Sequence, residues 1–209
     1  MPTLVAAAYP PELEGLSQLL GAELTSGRVV TRALGVGLVE SSAGATRAIA
    51  ELAPSRIVLV GTCGVLPGHE GALPIGAVVV ARRARLAVRA VEYVPPIMPT
   101  EAYGDEELAT RFAGALGAMT VTVVCPVGVT SDDAAAARLA TTGAEVEHLE
   151  CFSVLAAAAR ATIPATAVLA IANTVGSRGS AEWRANRVRA EAAAMHALAR
   201  VLQLSCSRD

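Results

Sequence analysis

The sequence predicts an α/β fold, a three-layer α/β/α sandwich around a central mixed, mostly parallel sheet, in a single domain over residues 1–209. Short apolar runs alternate with longer segments whose apolar residues recur at helical spacing. The run "RIVLVG" at 56–61 is apolar throughout most of its length, which is typical of a strand buried on both faces of a parallel sheet. With 53% hydrophobic residues in 209, the chain can bury a sizeable core, and aromatics at 3% make that core aliphatic.

The first part of the chain is expected to follow a strand–helix order. Leu13, Leu16, Leu19 and Leu20 have helical spacing, and the second helix is expected to stop before Pro54. The expected strands are 3–8, 28–34 and 56–61, and the expected helices are 12–22 and about 38–52.

The second part continues this order after residues 75–94, which are expected to form one or two strands. The expected helices are 105–117, 132–142, about 150–161 and 181–203, and the expected strands are 119–127 and 164–173. The irregular stretch 91–104 is too long for a simple turn, so it is a candidate site or interface loop.

Charge and hydropathy exclude several classes of partner. The net charge of −2 provides no electrostatic attraction for nucleic acid or an anionic membrane. No apolar run reaches about 18 residues, and the N-terminus lacks the basic segment of a signal peptide. We therefore expect a cytoplasmic protein that binds neither nucleic acid nor membrane.

The cysteines predict neither a metal site nor a disulfide set. Cys63, Cys125, Cys151 and Cys206 lie far apart, with no CxxC spacing. We expect reduced, buried thiols in a metal-free protein.

Ligands of such sheets bind beyond the carboxyl ends of the strands, so the polar residues at those ends are the candidates. These residues lie in 9–12, 35–37, 61–64, 128–133, 147–150 and 173–178.

Three of these segments allow two interpretations. "GVG" at 35–37 lacks the third glycine of a dinucleotide fingerprint, which favours a packing turn over a phosphate-binding one. "LVGTCG" at 59–64 predicts either an anion- or water-binding turn or a tight turn closed by Thr62, with Cys63 as a buried thiol rather than a nucleophile. Asn173 ends an apolar strand, either as a ligand-binding amide or as a turn former.

The stretch "VEHLECFSV" at 146–154 puts Glu147, His148 and Glu150 inside an apolar, Ala-rich region. Six further motifs occur along the chain: "AAAYPPEL", "GVGLVESSAGAT", "VGTCGVLP", "IGAVVVA", "VTSDD" and "AIANTVG". In order and spacing, from about residue 3 to 175, these motifs resemble the purine nucleoside phosphorylase and nucleosidase superfamily, which includes methylthioadenosine nucleosidase and futalosine hydrolase. The tail "ANTVGSRGSAEWR", with Arg178 and Trp183, is most similar to futalosine hydrolases.

The resemblance implies cleavage of the N-glycosidic bond of a purine nucleoside. Glu150 matches the carboxylate that binds the ribose hydroxyls, and its charge suits an oxocarbenium-like sugar. Asn173 matches the residue that handles the departing purine, and asparagine there resembles the enzymes for 6-oxopurines such as inosine or futalosine. Glu12 matches the general base that activates water, and Thr62 the hydroxyl that orients the acceptor. An alternative for Glu12 is an acid placed by the dipole of its helix.

The resemblance also implies a substrate-binding surface around these groups. It comprises Gly61, Thr130, His148, Leu149 and Phe152, with Leu149 in place of the usual methionine. The aromatic that usually stacks on the base near "VTSDD" is missing, so the candidates for stacking are Tyr93, Tyr103, Phe152 and Trp183.

Hydrolysis is favoured over phosphorolysis because the family's phosphate-binding arginine is replaced by Leu59, although the "RRAR" stretch at 82–85 or a neighbouring subunit could supply a cation. The alternatives are a phosphorylase with phosphate as co-substrate and a nucleoside-binding member without catalysis. The resemblance further implies a homo-oligomer without a cofactor.

Overall fold

A computed structural model describes residues 1–88 and 99–206 of the chain. The strands are β1 Thr3–Ala7, β2 Val29–Ala33, β3 Arg56–Val65, β4 Val78–Leu86, β5 Glu101–Tyr103, β6 Met119–Cys125, β7 Val146–Glu147 and β8 Ala165–Thr174. The helices are α1 Leu16–Leu19, α2 Gly21–Thr25, α3 Gly37–Leu52, α4 Glu106–Leu116, α5 Asp133–Ala140, α6 Cys151–Arg160 and α7 Gly179–Cys206, with a 3₁₀ helix at Pro10–Leu13.

All eight strands belong to one mixed sheet. The order is β2-β1-β3-β7-β6-β4-β5, and β8 pairs with both β3 and β4. Five pairings are parallel, and the pairings β3–β7, β4–β5 and β4–β8 are antiparallel. The predicted mixed, mostly parallel sheet is confirmed.

The alternation of side chains along the strands produces the three layers. Leu4 and Ala6 of β1 face a core shared with α3 and α6. Val5 and Ala7, one position along in each case, face a second core shared with α1, α4 and α7. The sheet is therefore covered by helices on both faces, as the sequence predicted.

Most predicted elements are present, but the predicted helix over 12–22 is wrong. The segment divides into the 3₁₀ helix, α1 and α2, and Leu20 between the last two has non-helical dihedrals (φ −125°, ψ 29°). Gly15 and Gly21 disfavour a continuous helix, because only proline is less favourable than glycine in the interior of a helix. The break matters because the 3₁₀ turn carries Glu12.

The irregular stretch 91–104 is only partly described. Residues 101–103 form the edge strand β5, which pairs with β4. Residues 89–98, which include Tyr93, lie outside the described part of the chain, so the interface or site role of that loop stays a prediction.

Cys63, Cys125 and Cys151 are buried free thiols, as expected, whereas the side chain of Cys206 lies outside the described residues. Within 1–88 and 99–206, no helix combines the length and apolar character that crossing a membrane requires. In those same ranges no cluster of three or more His, Cys, Asp or Glu side chains is arranged to hold a metal ion.

Helix α3 can pack closely against the preceding segment of the chain because residue 44 is a glycine. A Cβ added at Gly44 would lie 2.0 Å from the backbone oxygen of Leu34. Gly44→Ala should therefore lower the free energy of unfolding by about 1–3 kcal/mol, because the helix must move away. Gly114→Ala in α4, where an added Cβ meets nothing within 4 Å, is the matched control and should be neutral or stabilising by about 0.4–1 kcal/mol. Equal urea midpoints for the two variants would contradict this account of the packing.

Candidate active site

A cavity of about 550 Å³ opens at the carboxyl ends of β1, β3 and β8 and is closed on one side by the beginning of α7. Its wall brings together polar groups that are far apart in sequence: Glu12, Thr62, Glu147, His148, Glu150 and Asn173. This edge of the sheet is where the sequence placed its candidates. The cavity is consequently the candidate active site.

Glu12 is buried in the wall of the cavity, and backbone amides donate hydrogen bonds to both of its carboxylate oxygens. The Ala8 amide donates to Oε2 at 3.0 Å, and the Thr62 amide donates to Oε1 at 3.3 Å. Gly61 leaves the necessary room, since a Cβ there would lie 2.7 Å from Oε1. Gly61 thus supports Glu12 from behind rather than lining the cavity itself.

Burial raises the pKa of Glu12 to about 8, although the Ala8 and Thr62 amides act in the opposite direction. The negative charges of Glu150 and Glu191 contribute further to the increase. A carboxylate with such a pKa is a strong enough base to remove a proton near neutral pH, and perturbed carboxylates of this kind are concentrated at functional sites.

Glu150 lies just before α6, and the glycine-rich turn at 35–37 binds its side chain. The Gly37 amide donates to Glu150 Oε1 at 2.6 Å, and Gly35 and Gly37 have φ values of 104° and 81°. Such positive φ values are readily adopted by glycine, which explains the residue type. The turn therefore joins β2 to α3 and fixes a carboxylate through the Gly37 amide.

His148 touches Glu150 twice through one ring nitrogen. Its Nδ1 lies 3.1 Å from the Glu150 backbone nitrogen and 3.2 Å from Oε2. Burial lowers the pKa of His148, and the charge of Glu150 opposes this effect. Nδ1 accepts from the Glu150 amide when it carries no hydrogen and donates to Oε2 when it carries one, so one of the two contacts is a hydrogen bond in either tautomer and the ring lies against the carboxylate.

Glu147 is a third buried carboxylate in the cavity wall. Its Oε1 accepts a hydrogen bond from the Thr130 amide at 3.2 Å, whereas Oε2 has no hydrogen-bond partner among the described residues. Burial raises the pKa of Glu147. Thr130 thus holds Glu147 through its backbone and does not itself line the cavity.

Thr62 and Cys63 lie inside a strand and not in a turn. The strand β3 continues to Val65, with a register shift against β8 between Cys63 and Gly64, so both turn interpretations of "LVGTCG" are wrong. The Thr62 hydroxyl oxygen accepts a hydrogen bond from Trp183 Nε1 at 3.1 Å. Burial raises the pKa of the Cys63 thiol, which agrees with its interpretation as an inert thiol.

Asn173 is still part of β8, so its interpretation as a turn former is wrong, and its amide lines the cavity. Nδ2 donates to the Thr174 backbone oxygen at 3.0 Å. With the amide reversed, Oδ1 would face that oxygen instead, so the hydrogen bond defines the orientation of the amide. Added Cβ atoms at Gly64 and Gly179 would lie 2.9 and 3.1 Å from Nδ2, so these glycines make the space that the amide occupies.

The structure corrects two of the four candidates for the stacking aromatic. Phe152 packs in the core with α3 and α6 and lines a different groove, because the first turn of α6 points it away from the cavity. Tyr103 is 63% exposed on β5, and Tyr93 lies outside the described residues. Trp183 does line the cavity.

Ser180 and Arg184 also line the cavity, from the first turns of α7, and lie outside the candidate segments that the sequence indicated. Tyr9, at the start of the candidate segment 9–12, lines the cavity two residues after the end of β1. Arg178 is bound to Glu182 at 3.6 Å and does not line the cavity. The fold brings the beginning of α7 close to the ends of β1 and β3, and only the polar residues at 173–178 indicated this region in the sequence.

A family model described as the phosphorylase superfamily matches residues 10–204 of the chain. No curated protein sequence matches it. Many solved structures do match the chain, and the three described next cover nearly all of it.

A 5′-methylthioadenosine/S-adenosylhomocysteine nucleosidase from Colwellia psychrerythraea, solved with adenine, has a TM-score of 0.86 at 16% identity, with 97% of this chain and 95% of that chain covered. Futalosine hydrolase of Helicobacter pylori has a TM-score of 0.86 at 13% identity, with 97% of each chain covered. The S-adenosylhomocysteine nucleosidase from Streptococcus pyogenes, solved with 5-methylthiotubericidin, has a TM-score of 0.83 at 20% identity, with 97% and 96% covered. At these identities the likeness shows the fold.

The hydrogen bonds that hold Glu12 can be tested without any ligand. Gly61→Ala should push the carboxyl group away, so the amide proton resonances of Ala8 and Thr62 should both move upfield as they lose their acceptor. Gly71→Ala, where an added Cβ meets nothing within 4 Å, is the control and should leave both resonances in place. Unchanged Ala8 and Thr62 resonances in Gly61→Ala would show that Glu12 is not held as described.

Proposed function

The chain belongs to the phosphorylase superfamily, and from this premise we propose that it cleaves the N-glycosidic bond of a purine nucleoside, with water as the acceptor and a 6-oxopurine as the preferred base. The observation that carries the proposal is the single cavity shared by Glu12, Glu150 and Asn173. Each of these groups suits a different part of such a substrate.

Glu150 suits the ribose. Each of its oxygens has one contact with the protein, Gly37 on Oε1 and His148 on Oε2, and a carboxylate oxygen can accept more than one hydrogen bond. One further bond on each oxygen accommodates the 2′- and 3′-hydroxyls of a ribose. The negative charge also stabilises the positive charge that develops on the sugar as the base leaves.

Asn173 suits a 6-oxopurine. With one Nδ2 hydrogen bound to the Thr174 oxygen, the second remains to donate to the O6 atom of the base. The Oδ1 atom can then accept from a protonated N7. A 6-aminopurine offers a donor at position 6, so the same amide is less suited to it.

Glu12 suits the activation of water. The oxygen of water forms the new bond to C1′, the bond from C1′ to N9 breaks, and its electron pair stays with the purine, which takes up a proton from solvent at N7. Glu12 receives the proton that the attacking water loses. The Thr62 hydroxyl, next to Glu12, completes the binding of this water.

The arrangement of charges favours water over phosphate. The amides of Ala8 and Thr62 already donate to Glu12, and the amide of Gly37 donates to Glu150. A phosphate would therefore meet carboxylates where it needs donors. Leu59 is buried in the core, and the arginines of the "RRAR" stretch pair with Glu101 and Glu145 away from the cavity.

Phosphorolysis is the second candidate function, and Arg184 is the observation that favours it. This arginine is exposed and belongs to the cavity wall. A guanidinium at this position offers an anion the paired donors that the rest of the wall lacks.

The proposal includes a homo-oligomer, for which α3 supplies the support. Val36 and Val39, at the beginning of this helix, are 58% and 79% exposed, and Val36 borders the cavity. A second copy of the chain would cover these apolar side chains. The cytoplasmic location and the absence of a cofactor or metal remain predictions.

Release of free base from inosine, futalosine, adenosine and methylthioadenosine, each with and without phosphate, tests the function. We expect release without phosphate, and faster release from the two 6-oxopurine nucleosides. Strict dependence on phosphate would replace hydrolysis by phosphorolysis. Tight nucleoside binding without release under either condition would support the non-catalytic alternative.

The pH dependence of kcat/KM tests Glu12 as the base. Since Glu12 can accept a proton only when ionised, and its pKa is about 8, kcat/KM should rise with pH and level off above about 8. Glu12→Gln should reduce kcat/KM by about 10²–10⁴-fold. Glu14→Gln, at an exposed position two residues along, should keep the wild-type profile. A flat profile between pH 6 and 9 would exclude Glu12 from this role.

A further inference from the structure

The hydrogen bond between Trp183 and Thr62 restricts the hydroxyl of Thr62 in a way that the proposed reaction can use. An indole N–H only donates, so Trp183 Nε1 occupies one lone pair of the Thr62 oxygen. The hydroxyl hydrogen must then point in another direction. Within the described residues, no protein group accepts that hydrogen, and Thr62 lines the cavity. The remaining direction is toward a ligand or water in the cavity.

The position of the hydroxyl next to Glu12 defines what it would hold. The Thr62 backbone amide donates to Glu12 Oε1 at 3.3 Å, so the hydroxyl and the carboxylate belong to the same corner of the cavity. One group donates and the other accepts. A water molecule satisfies both at once, because it accepts from the hydroxyl and gives a proton to the carboxylate.

The indole ring is itself held by a ladder along one face of α7. Trp183, Arg187 and Glu191 are spaced four residues apart, and the Arg187 guanidinium carbon lies 5.5 Å from the centroid of the Trp183 ring. Arg187 Nη1 lies 3.8 Å from Glu191 Oε1, and the same oxygen accepts the hydroxyl of Tyr9 at 2.7 Å.

The ladder therefore returns to the segment that carries Glu12, three residues after Tyr9. Glu191 is 7% exposed and Tyr9 is half-buried, so the contact between them is partly shielded from solvent. One end of the ladder orients the hydroxyl of Thr62, and the other is attached to the turn of Glu12. The two groups that would bind the water are thus held from the same helix.

We propose that Trp183 is a positioning residue that directs the Thr62 hydroxyl hydrogen toward the oxygen of the attacking water. This inference rests on the proposed function, and it assigns to Trp183 a role that needs its N–H and not only its ring. Packing of the ring against the core, or stacking on a base, would be preserved by phenylalanine. The positioning role would be lost.

The hydrogen bond can be tested without any catalytic activity. The chain has one tryptophan, so its indole N–H yields one resonance in a nitrogen-correlated NMR spectrum. Thr62→Val should move this resonance upfield and speed its hydrogen exchange, whereas Thr62→Ser should keep it close to the wild-type position. An indole resonance that is the same in wild type and Thr62→Val would overturn the proposal.

The kinetic role is tested by a double-mutant cycle on base release. Trp183→Phe should lower kcat by about threefold to tenfold, the equivalent of one hydrogen bond, with little change in KM. In the Thr62→Val background, Trp183→Phe should have no further effect, because the hydroxyl that it orients is gone. Val188→Ala, at an exposed site on the same helix, should leave kcat unchanged.

The outcomes separate this role from the proposed function. An equal effect of Trp183→Phe in the wild-type and Thr62→Val backgrounds would overturn the positioning role alone and indicate packing. An increase in KM without a change in kcat would overturn it in favour of stacking on the base. No base release by the unsubstituted protein, with an intact indole hydrogen bond, would overturn the proposed function and the role that depends on it.

Discussion

The burial of three carboxylates in one cavity is the constraint on which the rest of the site depends. A buried charge is costly unless it is hydrogen-bonded, and here the bonds come from backbone amides at strand ends and turns. Ala8 and Thr62 bind Glu12, Gly37 binds Glu150, and Thr130 binds Glu147. Ala8 follows β1, Gly37 follows β2 and Thr62 lies near the end of β3, and these three strands are parallel neighbours. Thr130 follows β6, and β7, which pairs with β6 and β3, places Glu147 beside Gly64.

The same constraint explains the small residues around the cavity. Glu12 fits against β3 because Gly61 has no side chain, and Asn173 fits between Gly64 and Gly179 for the same reason. Occupied amides also set the chemistry. The amides that hold these carboxyl groups are not available as donors to a phosphate, and this supports our proposal of water as the acceptor. The family to which the chain belongs defines the fold, and the proposed acceptor rests on these contacts.

Much of the architecture was predictable because it follows from local patterns. Continuous apolar runs located β3 and β8, and helical spacing located α3, α4 and α6 to within a few residues. The helix predicted over 12–22 failed because its apolar spacing was correct but its glycines and the burial of Glu12 favour a break. The two-residue strand β7 has no pattern of its own and exists through its pairing with β3 and β6.

The site was predictable where residue type and strand end coincide, as for Glu12, Glu150 and Asn173. The site was not predictable where the direction of a side chain determines whether it lines the cavity. Phe152 follows Glu150 by two positions, yet the helix turns it into the core. Trp183 meets Thr62 only because α7 packs across β3, a contact between positions 121 residues apart. The register shift at Cys63 and Gly64 likewise depends on the pairing with β8 and not on the local sequence.

A crystal structure of the Glu12→Gln variant with inosine tests the central claim most directly. The account predicts that the Glu150 carboxylate lies within hydrogen-bonding distance of both ribose hydroxyls, that the Asn173 amide faces N7 and O6 of the purine, and that a water lies beside Thr62 near C1′. Inosine bound outside this cavity, or with its base toward Glu150 and its ribose toward Asn173, would contradict it.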